Sequence, residues 1–77
     1  MLTSTQILDQ YYLEARRDLL EVAALLDRYD AALEREGVRG GNHAMREILD
    51  RALTHLADSE TTSGERTTAL LELFAEI

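Results

Sequence analysis

Leu8–Leu33, LDQYYLEARRDLLEVAALLDRYDAAL, is the stretch that decides the fold. Its apolar residues Leu8, Tyr12, Ala15, Leu19, Val22, Leu26, Tyr29 and Leu33 are separated by alternating steps of four and three. That spacing holds them on one side of an α-helix and forms a seam along which another helix packs lengthwise. Ile7, Tyr11, Leu25 and Ala32 widen one edge of the seam, while Gln10, Arg17, Glu21, Arg28 and Arg35 fall on the opposite, solvated face.

Working outward, Thr3 and Gln6 have the spacing of a capping box, in which a hydroxyl and a side-chain amide satisfy free backbone groups of the first turn. Gly37 is the natural stop. The pattern therefore predicts a helix over residues 4–36, about 50 Å long. The remaining glycines, Gly40, Gly41 and Gly64, divide the rest of the chain, which contains no proline. A second helix is expected over 43–57, capped by Asn42 and apolar at Met45, Ile48, Leu49, Ala52, Leu53 and Leu56. A third is expected over 64–76, with Thr62 and Glu65 at capping-box spacing and Leu70, Leu73, Phe74 and Ile77 on its apolar face. Nothing alternates with period two, so no strand is expected. The reading is all-α: one long N-terminal helix and two shorter ones in an antiparallel helical bundle, a single helical domain over 1–77.

Composition narrows the function. A 77-residue chain buries only about 60% of the surface it exposes when unfolded, so such chains lean on disulfides, metals or a second copy. There is no cysteine, which removes disulfides and thiolate metal sites and fits a reducing compartment. The start, MLTSTQILDQYY, has neither a basic stretch nor a continuous apolar run, so no signal peptide is expected. No segment approaches the roughly 20 apolar residues of a membrane span. The expected location is cytoplasmic. A net charge of −7, with all basic residues arginine and scattered among acids, disfavours nucleic acid.

The chemistry-bearing combinations are sparse. Helical di-iron sites use Glu-x-x-His, but Gly40 and Ala52 stand three residues before His43 and His55. His43, Glu47 and Asp50 share a helix face at a spacing that suits a divalent cation, although exposed groups of this kind are usually only solvated. His55, Asp58 and Ser59 crowd one helix end, where a His complements the dipole, and no Gly-x-Ser-x-Gly turn accompanies them. Asp58-Ser59-Glu60 departs from the Asp-Ser-Leu at which carrier proteins take a phosphopantetheine arm, and reads as a polar turn. No catalytic residue, cofactor or metal is expected.

Two groups remain. Leu8, Tyr11, Tyr12, Ala15 and Leu19 form a candidate interface at the open end of the seam. Arg16, Asp27, Arg28 and Asp30 form a candidate polar cluster. Asp30 falls within the stripe between Leu26 and Leu33, where a carboxylate must pair or stay hydrated, with Arg46 or Arg51 the expected partner.

The run Asp9-x-x-Tyr12-x-x-x-Arg16-x-x-Leu19, continuing to Ala23-x-x-Leu26-Asp27-Arg28-x-Asp30, resembles short uncharacterised bacterial helical proteins. So does the ending from Arg66-Thr67 to Leu71-Glu72-Leu73-Phe74. The resemblance implies no activity; it singles out Arg16, Asp27 and Arg28 as polar positions to probe. The expected function is a non-enzymatic interaction or adaptor protein working through an apolar helix face. The alternative is a small-molecule or metal-binding bundle. A homodimer is expected, because helices two and three are each about half as long as the first. Folded back together, they leave its N-terminal half bare; the expected two-fold axis lies near Leu19. The competing arrangement is a closed monomer, in which the third helix continues past the second and covers that half.

Overall fold

The computed structural model describes residues 1–37, 43–58 and 65–76. Among them the regular structure is entirely helical: α1 (Ser4–Glu36), α2 (His43–Ala57) and α3 (Glu65–Phe74). The chain divides into two compact units, Met1–Gly41 and Asn42–Ile77.

In the first unit, both ends of α1 are set by local chemistry. The Thr3 hydroxyl accepts from the Gln6 amide at 3.2 Å, and the Gln6 side-chain oxygen accepts from the Thr3 amide at 2.8 Å, which closes the expected capping box. At the other end Gly37 adopts φ 81°, and its amide donates to the Leu33 carbonyl at 2.7 Å. A side chain at that φ is strained, so glycine ends the helix cheaply. The helix between is unbroken, yet no residue of α1 is fully buried. Its seam is graded. Val22, Leu26, Tyr29, Ala32 and Leu33 are half-buried, whereas Leu8, Tyr11, Tyr12, Ala15 and Leu19 are exposed.

In the second unit α3 runs antiparallel to α2. Arg66, at the start of α3, reaches the end of α2, while Glu76, just past the end of α3, meets Arg51 in the middle of α2. Ile48, Ala52 and Leu73 form the buried core, with Leu70 packed against it and Leu49 and Leu53 half-buried. Small Ala52 allows the two helices to approach closely, and the larger Ile48 and Leu73 fill the space beside it. The expected apolar faces are therefore the ones used, although Met45, Leu56 and Phe74 at their margins stay exposed.

Arg66 also closes the C-terminus of α2. Its Nε donates to the Leu56 carbonyl at 3.3 Å and its Nη2 to the Asp58 carbonyl at 2.6 Å. These carbonyls lie at a helix end, where no intrahelical donor is left and a cation is favoured by the dipole. The third helix is shorter than the 64–76 expected. It stops at Phe74, and Ala75 and Glu76 tighten into a turn, their amides donating to Leu71 and Leu73 carbonyls at 3.2 and 3.1 Å. The caps expected at Asn42 and Thr62, the turn glycines Gly40, Gly41 and Gly64, and Ser59, Glu60 and Ile77 lie outside the described residues.

Candidate functional site

The candidate interface lies on the first half of α1. Leu8 is 66% exposed, Tyr12 60% and Leu19 58%, and Tyr11 and Ala15 are exposed beside them. Tyr12, Ala15, Arg16, Leu19 and Leu20 line a shallow apolar groove of about 430 Å³. One helix positions all of these side chains, so their relative placement follows from the helical repeat alone. The Tyr11 hydroxyl accepts from the Gln10 amide nitrogen at 3.4 Å, and Asp18 takes the Arg17 guanidinium at 3.2 Å. Both contacts join sequence neighbours and leave the apolar faces of the rings open.

Leu13 and Leu20 extend the apolar surface beyond the expected seam; they are 73% and 55% exposed. They are seven residues apart and so share a face, which is the signal in the sequence that marks them. Attention to the four-and-three spacing alone passes over them.

The four residues of the candidate polar cluster do not converge. Arg16 and Asp27 are separated by about 16 Å of helical rise. Arg28 points to the solvated face opposite the seam, and all four residues are exposed. Arg16, Asp27 and Arg28 make no hydrogen bond or ion pair among the described residues. Asp30 is engaged rather than free, and the residue is exposed, so it does not carry the full cost of burial. In the second unit Arg51 pairs with Glu76 at 3.3 Å and Arg46 with Asp50 at 3.1 Å.

Of His43, Glu47 and Asp50, whose spacing alone would suit a cation, Asp50 accepts instead from Arg46 at 3.1 Å. Among the described residues no group of three or more His, Asp or Glu side chains is placed to hold a metal ion. A polar hollow of about 230 Å³ lies along α2, lined by Glu47, Asp50, Arg51, Thr54 and His55. The Thr54 hydroxyl donates to the Asp50 carbonyl at 3.0 Å, and Arg51 is drawn to Glu76, so these groups serve the helix and its partner α3. On the α2–α3 pair, Met45, Ile48, Leu49 and Phe74 line a small apolar hollow of about 260 Å³. Among the described residues no helix is long and apolar enough to cross a membrane.

No protein-family model matches this chain, and no curated protein or solved structure matches it significantly. What the site can do rests on its own chemistry: it is an apolar helical surface with aromatic anchors and a charged margin.

Proposed function

We propose that this chain is a non-enzymatic interaction protein that works through the apolar face of α1 in the cytoplasm. The exposure of Leu8, Tyr12 and Leu19 together on one helix face supports this reading most directly. Single exposed apolar residues are ordinary on any protein surface, but a contiguous set with two tyrosines is characteristic of a protein–protein contact. Tyrosine suits such a surface because its ring is apolar and its hydroxyl remains satisfied at the rim. The rest of the surface is acidic, which favours a protein partner over nucleic acid. The resemblance to short bacterial helical proteins adds no activity to this reading.

The test is capture from native lysate with two baits, the chain itself and its Leu8→Glu/Leu19→Glu variant. The expected result is one protein held in stoichiometric amount by the first bait and lost by the second. Equal recovery on both baits, or no stoichiometric protein on either, would show that the α1 face does not carry the function.

A further inference from the structure

The geometry points to a second copy of this chain as the occupant of the α1 face, packed antiparallel about a two-fold axis between Leu13 and Glu14. This rests on the reading of α1 as an interaction face and names the partner and its register.

The seam contains two alternating sets, Leu8, Ala15, Val22 and Tyr29 against Tyr12, Leu19, Leu26 and Leu33. Antiparallel helices pack by placing a member of one set opposite a member of the other. The allowed registers are therefore discrete, about half a heptad apart. With the axis between Leu13 and Glu14, Leu8 faces Leu19 of the partner and Tyr12 faces Ala15 of the partner, each pair occurring twice. The exposed seam members thus cover one another, and the half-buried Leu26, Tyr29 and Leu33 are not needed.

Charge selects this register over its neighbours. Asp9 and Arg16 each directly follow a seam residue, Leu8 and Ala15, so they lie on the same edge. Both are exposed, and neither makes an ion pair among the described residues. In the proposed register Asp9 faces Arg16 of the partner, twice. One step toward the N-terminus sets Asp9 against Asp9, and one step the other way sets Arg16 against Arg16. An axis near Leu19 is disfavoured for the same reason, and also because it spends the exposed seam on residues already half-buried. On the opposite edge the proposed register brings the Tyr11 hydroxyl, a donor, to the Asp18 carboxylate of the partner. The facing apolar side chains remove roughly 500 Å² per copy from water, about 1,000 Å² in all, which falls below stable specific interfaces and among the weak, transient ones. The complex is therefore a concentration-dependent dimer.

Sedimentation equilibrium from about 10 to 500 µM tests it with a charge-reversal cycle, because rim charges set register and like charges repel. The chain should approach twice its 8.7 kDa mass. Asp9→Arg and Arg16→Asp should each weaken association about tenfold, and the double variant should recover to within about threefold. Because the chain has no cysteine, Leu8→Cys mixed with Leu19→Cys gives a second measurement. Oxidation should link the two different chains in preference to like with like. A mass of 8.7 kDa throughout would overturn the second copy. A dimer with no recovery in the double variant, or with like-to-like crosslinks dominant, would overturn the register. Neither result touches the lysate capture, whose failure would remove a different protein as partner of the α1 face and leave self-association standing.

Discussion

Removing the Arg66 side chain should destabilise the α2–α3 unit even though the residue is not part of its apolar core. The guanidinium makes two hydrogen bonds to carbonyls at the end of α2, one of them short at 2.6 Å. A hydrogen bond from a charged donor contributes about 1.5–3 kcal/mol in protected surroundings. Arg66 is only half-buried, and Leu56 and Asp58 are exposed, so water replaces much of what is lost. The expected cost of Arg66→Ala is therefore about 1–2 kcal/mol for both bonds together. In a chain of this length, 1 kcal/mol moves the midpoint by about 4–8 °C, so a fall of roughly 4–16 °C is expected. Arg66→Lys keeps the charge near the helix end but cannot span both carbonyls, and should lose about half as much. Circular dichroism during heating, backed by urea titration, reads both variants. A midpoint for Arg66→Ala within about 2 °C of the parent would show that the arginine does not hold the two helices together, and the reasoning would fail.

Leu73→Ala removes the most buried side chain of the core, 4% exposed, and should cost about 2–4 kcal/mol by urea titration, toward the lower figure because the exposed neighbours can settle inward. Thr3→Ala breaks the capping box and should cost about 1 kcal/mol, seen as fraying of the first turn of α1 in amide exchange; unchanged protection at Gln6 and Ile7, whose amides donate to Thr3, would contradict it. Glu76→Gln should change stability by less than about 0.5 kcal/mol, because the Arg51–Glu76 pair is half exposed on both sides.

The helix ends and faces that depend on neighbouring residues are legible in the sequence. Thr3, Gln6 and Gly37 act within one turn of themselves, so spacing alone locates the limits of α1. The core positions Ile48, Ala52 and Leu73 are legible because they repeat at helical spacing on segments with a clear polar side. What depends on the return of the chain is harder to see. Nothing local marks Arg66 as the donor for the end of α2, because the carbonyls it serves lie eight and ten residues away and meet it only after the chain reverses. Arg51 has its acid, Glu76, just past the end of the other helix for the same reason. Asp30 illustrates a different limit. It directly follows Tyr29, so by the seven-residue repeat it shares the edge of Asp9 and Arg16, and its position between Leu26 and Leu33 overstates its depth in the stripe. There the residue is exposed and engaged rather than free.

The N-terminal part of α1 poses a problem that neither helix formation nor local packing answers. Leu and Ala are strong helix formers, but Tyr11 and Tyr12 are poorer ones, and a solvent-facing helix gains nothing from them. Two tyrosines there, beside Leu8 and Leu19, carry apolar surface that contact with another molecule would reward. Tyr12→Glu separates the explanations. A side chain that packs within its own chain stabilises it equally at every concentration. A side chain at a dimer seam makes the melting temperature depend on concentration, because association favours the folded form by mass action. The parent chain should therefore melt several degrees higher at about 500 µM than at about 10 µM. Tyr12→Glu should abolish most of that difference while melting close to the parent at the dilute end, since glutamate is tolerated on an exposed helix face. Scanning calorimetry at the two concentrations reads this directly. A parent midpoint that does not move with concentration, together with a variant lowered equally at both, would assign Tyr12 to packing within the chain.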